Sequence, residues 1–305
     1  MTAVIVNWNT RDLLVRCLES LRDNGLGKGR TEVVVVDNGS ADGSLQVIAA
    51  DWPEVKVIAN TENVGYVRAN NQAIAATDGE YVLLINTDAF LQPHALDRLV
   101  AQLDADPRAA VVGPRLVYGD GSWQRWTAGR FPSLAVALNY YLYVERLLPG
   151  WPRAQGIWLT QDVREAFRPD WVCSACMLVR RQALDEVGLL NEEYPAYVED
   201  LEFCERAARA GWRTWYRPDA EVIHLMGQST KLQTGNISPA SIRNFNRYFQ
   251  SRNGRVATRI LRLAQVTGFA SRAFAYYAAG RLGRGTPAMA RVHWSHLKLS
   301  LERAS

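Results

Sequence analysis

The sequence predicts an α/β fold: a mostly parallel central sheet flanked by helices, followed by basic C-terminal helices. Three observations predict it. Apolar runs such as "EVVVV" (32–36) and "YVLLI" (81–85) are unbroken, as in strands covered on both faces. Segments of helical period lie between them, the alternation that builds a parallel sheet. From Arg243 onward, eleven arginines and one lysine face a single acid, Glu302, in a stretch that reads as helices.

In chain order, Ala3 to Val6 is the first strand. Thr10 suits a helix N-cap, its hydroxyl accepting from an orphan amide, and Leu14, Leu18 and Leu21 then recur at helical spacing. The second strand, "EVVVV", runs into the Gly/Asp/Ser turn "DNGSADGS" (37–44), and Val55 to Ile58 is the third. "NVGYVRANNQAIAA" (63–76) reads as a helix opened by Gly65, and Tyr81 to Ile85 is the fourth strand. Pro93 stands near the next helix start, where its missing N–H does no harm; Leu96, Leu99, Val100 and Leu103 give that helix its apolar face. Residues 111–170 are less regular and rich in Trp, Tyr, Pro and Arg. "WVCSACMLVRR" (171–181) returns to a strand. "YVEDLEFCERAARAGW" (197–212) is a helix with Val198, Leu201, Cys204 and Ala208 on one face and Gly211 as its stop. "TWYRPDAEVIHLMGQST" (214–230) is a short strand leading into a Gly/Ser loop.

A chain of 305 residues, 48% hydrophobic, suits one large domain or two small ones. Four cysteines fit a reducing compartment better than a disulfide scaffold. The opening "MTAVIVNWNT" has no basic n-region, so no signal peptide is expected. "LAVALNYYLYV" (134–144) and "GFASRAFAYYAAG" (268–280) fall short of the roughly 18–20 apolar residues a membrane span needs, so a soluble or peripheral protein is expected. The net charge of +4 divides into +11 from Arg243 to the end and −7 elsewhere. Such a tail suits lipid head groups, nucleic acid or another subunit.

Ligands of parallel sheets bind beyond the strands' carboxyl ends, where Asp37 and Asp88 both stand. Asp88, with Asn86, offers oxygens for Mg²⁺ or Mn²⁺, although Asn-Thr-Asp also makes an ordinary strand-to-helix turn. Asp37 can accept from a nucleobase or ribose, or simply shape its turn. No Gly-Lys-Ser/Thr follows it and no Gly-x-Gly-x-x-Gly follows any strand, which excludes a Walker loop and a dinucleotide fingerprint. Glu199 and Asp200 open a helix, whose positive end keeps a carboxylate ionised and available as a base; helix capping is the ordinary alternative. His224 suits Mn²⁺, or a hydrogen-bonded core position. Cys173 and Cys176 lack the second pair a zinc site needs and read as buried, unreactive thiols.

Together "AVIVNWNTRDLLVRCLESL", "VVVVDNGSADGS", "NVGYVRANNQAI", "LLINTDAFL", "WVCSACMLVRRQALDEVGLLNEEY", "YVEDLEFCERAARAGW" and "HLMGQST" resemble family 2 glycosyltransferases, in particular their rhamnosyltransferase-like branch, over residues 2–230. The resemblance implies a GT-A fold over residues 1–240, with a nucleotide-sugar-binding half (1–110) and an acceptor-binding half (111–240), before the basic helical region 241–305. It implies that Asp37 contacts the donor nucleoside, with Arg68 near that site. Asn86-Thr87-Asp88 stands where the family has Asp-x-Asp, so Asp88 would bind the metal, Mn²⁺ or Mg²⁺, that holds the diphosphate. The first position departs from the pattern: Asn86 offers an amide oxygen, which makes Asp88 matter more. Glu199-Asp200 matches the catalytic acidic pair, with Asp200 as base, and His224 a further metal ligand. The implied reaction is direct inversion from a dTDP- or UDP-sugar, dTDP-rhamnose first, to a saccharide or lipid-linked saccharide. The expected place is the cytoplasm, peripheral on the membrane's cytoplasmic face through the basic C-terminus. The acidic body argues against a nucleic-acid partner, and a nucleotide-sugar-binding protein without catalysis is the rival reading.

Overall fold

A computed structural model describes residues 1–25, 31–148, 150–226, 239–281 and 287–301. The chain begins β1 (Thr2–Asn7), α1 (Arg11–Asp23), β2 (Glu32–Asn38), α2 (Ser44–Asp51), β3 (Lys56–Asn60) and α3 (Tyr66–Ala75). It continues β4 (Tyr81–Asn86), β5 (Ala89–Leu91), α4 (Ala95–Ala105), β6 (Ala109–Val117), β7 (Ala128–Gly129), α5 (Leu134–Tyr141) and α6 (Val144–Leu147). Then follow β8 (Trp171–Val172), β9 (Cys176–Arg180), α7 (Arg181–Val187), α8 (Glu199–Arg209), β10 (Arg213–His224), α9 (Pro239–Arg281) and α10 (Pro287–Leu301).

Two compact units emerge. The first comprises residues 1–129, 159–195 and 199–231; the second comprises 130–158, 196–198 and 232–305. In the first, one sheet has the strand order β3-β2-β1-β4-β9-β6-β10-β5. β1, β2, β3 and β4 are parallel neighbours, as are β6 and β10, whereas β9 runs antiparallel between β4 and β6. The carboxyl ends of β1, β2, β4, β6 and β10 therefore share one edge. The apolar runs are strands because both faces are covered: Val33 to Val36 and Val82 to Ile85 are all buried.

β4 and β5 are joined by Thr87 and Asp88 alone, a span of at most about 10 Å between Asn86 and Ala89. Three strands separate them in the sheet, which in a flat sheet is about 19 Å. The sheet must curl. It can because β9 and β6 pair at only two positions, Val111 with Val179 and Val112 with Leu178. The curl carries the Thr87–Asp88 turn to the end of β10, where Leu225 N–H donates to Asp88 O at 2.9 Å.

Some expectations are corrected. Thr10 is the N-cap of α1, but its side chain makes no capping bond. Asp88 leads into a strand, not a helix. On α8, Ala207 is buried and Ala208 exposed. β10 is a full twelve-residue strand, whose register shifts between Arg217 and Glu221 around Pro218, which cannot donate to the ladder.

In the second unit, Gly254 (φ 79°) breaks α9 into two helical segments. Ser133 caps α5, accepting from Val136 N–H at 3.3 Å. Gly268 of α9 lies so near the Tyr141 carbonyl that a Cβ there would come within 2.2 Å of its oxygen, so only glycine admits the approach. Tyr141 packs edge-on to Phe269, and Gln265 donates to the Tyr141 hydroxyl at 3.2 Å and to Asn246 Oδ1 at 2.9 Å. Among the described residues, no helix is long and apolar enough to cross a membrane.

Candidate active site

The strand order places a topological switch between β1 and β4, where parallel sheets open a ligand crevice. A buried polar chain crosses that switch. Asp37, near the end of β2, accepts from Asn7 Nδ2 (2.7 Å) and from Ser40 N–H (2.8 Å). Asn7 Oδ1 lies 2.8 Å from the Thr10 hydroxyl, which lies 2.9 Å from that of Thr87. Thr10 is thus turned inward to the switch, which is why it cannot cap its own helix. The Asp37 turn is also joined to the start of α3, since Asn38 Nδ2 donates to Asn63 Oδ1 (3.3 Å) and Gly65 O (3.5 Å). Arg68 sits exposed on the first turn of α3, beside a hollow of about 90 Å³ lined by Val64, Gly65, Val67, Glu192 and Pro195. A larger hollow, between α2 and β3, is lined only by apolar side chains and offers no chemistry.

Asp88 is buried, and its Oδ1 has no hydrogen-bond partner; neither has the buried Asn86 Oδ1. His224, at the end of β10, places Nε2 3.4 Å from Asp88 Oδ1. Gln124 sets the imidazole. Its amide nitrogen donates to the carbonyls of His224 and Val117, which leaves Oε1 to accept at 3.0 Å from His224 Nδ1–H. The lone pair of Nε2 then faces Asp88. No lysine or arginine among the described residues lies within ion-pair distance of Asp37, Asp88 or Asp200.

Glu199 and Asp200 open α8 and are both buried. Ser174, in the turn between β8 and β9, holds the pair: its N–H donates to Asp200 Oδ2 (3.0 Å) and its hydroxyl to Glu199 Oε1 (2.9 Å). Leu201 N–H donates to Asp200 Oδ1 (2.7 Å). Tyr66, from α3, donates its hydroxyl to Ser174 O (3.1 Å). Burial first, and the neighbouring Glu199 charge second, push the Asp200 carboxyl up to about 7. The next residue, Ala175, accepts from Asn86 N–H at 2.9 Å. One dipeptide, Ser174-Ala175, therefore touches both the Asp200 carboxylate and the Asn86–Asp88 turn.

Sequence reasoning missed Asn7, Thr10, Ser174 and Gln124. For Asn7, Thr10 and Ser174 the available signal was a polar residue directly after an apolar strand, as in "VNWNT", or inside an apolar run, as in "CSAC"; Gln124, in "SWQRW", had none. All four cysteines are free; burial pushes the Cys173 thiol up and the Cys176 thiol up to about 12, and both stay protonated. Cys173 is only half-buried and lies between strands. Residues 227–230 of the "HLMGQST" loop lie outside the described residues.

A family model described as Glycosyl transferase family 2 matches residues 2–188. N-acetylglucosaminyl-diphospho-decaprenol L-rhamnosyltransferase of Mycobacterium tuberculosis is 34% identical over 214 residues, 65% of this chain and 67% of that protein. An O-antigen biosynthesis protein of Myxococcus xanthus is 26% identical over 230 residues, 73% of this chain and 17% of that protein. Among solved structures, a mannosyltransferase of Pyrobaculum calidifontis in complex with GDP-Man and Mn²⁺ superposes with a TM-score of 0.59 at 18% identity, covering 98% of this chain and 83% of that one. Residues 1–349 of S. aureus TarS, in complex with UDP-GlcNAc, give 0.51 at 17% identity over 87% and 66%. At such identities the two structures speak for the shared GT-A fold.

Proposed function

The chain belongs to glycosyl transferase family 2, and from that premise we propose an inverting, metal-dependent rhamnosyltransferase. It moves rhamnose from dTDP-rhamnose to a lipid-linked saccharide, the acceptor class in the name of its mycobacterial relative. That acceptor would put the reaction at the cytoplasmic face of a membrane. The observation that carries the reading is the Ser174-Ala175 dipeptide, which ties the Asp200 base to the Asn86–Asp88 turn.

The residues fit a divalent cation, Mn²⁺ or Mg²⁺, at Asp88 and His224. The partnerless, buried Oδ1 atoms of Asp88 and Asn86 are costly without one. An oxygen and a nitrogen 3.4 Å apart suit ligands each about 2.1 Å from one ion. No group of three or more His, Cys, Asp or Glu among the described residues could hold a metal ion, so phosphate and water oxygens would complete the shell, as Mg²⁺ habitually requires. The neighbouring mannosyltransferase fold carries Mn²⁺ with GDP-Man.

When bound, the cation neutralises the charge gathering on the departing diphosphate. Asp200 takes the proton from the acceptor hydroxyl as that oxygen attacks. Backbone N–H groups of Ser174 and Leu201 fix its two oxygens and leave each a lone pair for the acceptor. With its carboxyl near 7, Asp200 is basic enough to accept that proton, and about half of it is ionised in neutral solution. Glu199, held by the Ser174 hydroxyl, keeps a second negative charge beside it. Asp37 retains a lone pair on each oxygen for the nucleoside, and Arg68 lies exposed at the start of α3 for the donor.

Thermal denaturation of the full chain with dTDP-, UDP- and GDP-sugars tests the donor. dTDP-rhamnose with Mn²⁺ should raise Tm, by an amount equivalent to about 2.7 kcal/mol at a hundredfold excess over Kd, and EDTA should abolish the shift. Stabilisation by a UDP- or GDP-sugar and not by dTDP-rhamnose would overturn the donor assignment, and stabilisation by none of these sugars would overturn the transferase reading.

A further inference from the structure

Helices α9 and α10 contain nine arginines and one lysine across residues 239–281 and 287–301, with no aspartate or glutamate. After the break at Gly254, α9 turns a set of apolar side chains to solvent. Val256, Ile260, Leu263, Phe274 and Tyr277 are 71, 40, 68, 72 and 60% exposed. Their spacing returns to one side of the helix, a stripe about 32 Å long. Exposed Arg255, Arg259 and Arg281 border it. On α10, Trp294 and Leu301 (54 and 64% exposed) alternate at helical spacing with exposed Arg291 and Lys298.

We propose that this face of α9 lies flat on an anionic lipid bilayer, its apolar stripe in the boundary between head groups and acyl chains and its arginines on lipid phosphates. The chemistry selects this occupant. An apolar stripe flanked by cations is what an interfacial helix needs, and no described helix is apolar enough to span instead. A second copy seated on this stripe would set Arg255, Arg259 and Arg281 against their own counterparts, with no acid from these helices to relieve them. Nucleic acid would engage the arginines but leave Val256, Ile260 and Leu263 nothing to bury against. The inference needs no sugar chemistry and stands apart from the transferase reading.

The test is co-sedimentation of the full-length chain with phosphatidylcholine vesicles and with mixed phosphatidylcholine–phosphatidylglycerol vesicles. The chain should pellet with the anionic vesicles, less so as salt rises. Arg255→Gln with Arg259→Gln should weaken partitioning about 30-fold, near fivefold for each charge. Leu263→Glu with Phe274→Glu should weaken it at least tenfold while Tm stays unchanged, because both side chains are exposed. Failure of the wild type to pellet, variants that pellet like the wild type, a solution dimer dissociated by Leu263→Glu, or tighter binding to duplex DNA would each overturn the proposal. Donor-induced stabilisation of the same preparations separates the two readings. Vesicle binding without donor binding sinks the transferase, and the converse sinks the docking face.

Discussion

Asp88 and Asp200 are both buried carboxylates, yet their surroundings prepare them for different tasks. Asp88 points an unpartnered oxygen at His224 Nε2, whereas Asp200 is bonded by two N–H groups and stands beside a second acid. Raised to about 7, Asp200 makes two pH statements. As a base it must be ionised, so kcat/KM should fall about tenfold per pH unit below 7 and level off above it. A flat profile from pH 5 to 8 would contradict the role. For stability, a carboxyl higher in the folded than in the unfolded chain stabilises while protonated. That contribution is complete below about 4 and lost as pH rises through about 7. Asp200→Asn should therefore melt above the wild type at pH 8 and alongside it at pH 4, as thermal denaturation at the two pH values would show.

At the scale of elements, the curled sheet depends on close approaches. A Cβ on Gly113 of β6 would lie 2.6 Å from Val172 Cβ of β8. Gly113→Ala should cost about 1–3 kcal/mol and lower Tm by several degrees, measured by calorimetry; an unchanged Tm would mean that β8 is free to move. β1, β2 and β4 were legible in the sequence because strands covered on both faces are apolar throughout. The antiparallel insertion of β9 was not, since an apolar run looks the same in either direction. Nor was the length of β10, which continues past Pro218 through a shift of register. Thr10 misled because a cap and a buried network ask for the same hydroxyl, and only the fold brings Asn7 and Thr87 to it.

On the scale of the molecule, residues far apart in sequence meet at one sheet edge: Asp37, Asn86 to Asp88, Ser174, Asp200 and His224. The charged members were visible because carboxylates at strand and helix ends are unusual in an apolar context, and their order along the chain carries the family resemblance. The neutral members, Asn7, Gln124 and Ser174, look like ordinary turn residues until burial and distance single them out. The charge asymmetry was equally legible, but the exposed stripe of α9 was not, because apolar residues at helical spacing look the same whether they face a core or solvent. The most direct test of the central claim is the rate of sugar transfer by Asp200→Asn, measured beside its Mn²⁺-dependent stabilisation by donor. Donor stabilisation should persist while transfer falls about 10²- to 10⁴-fold. Transfer close to the wild-type rate, with donor still bound, would show that Asp200 is not the base.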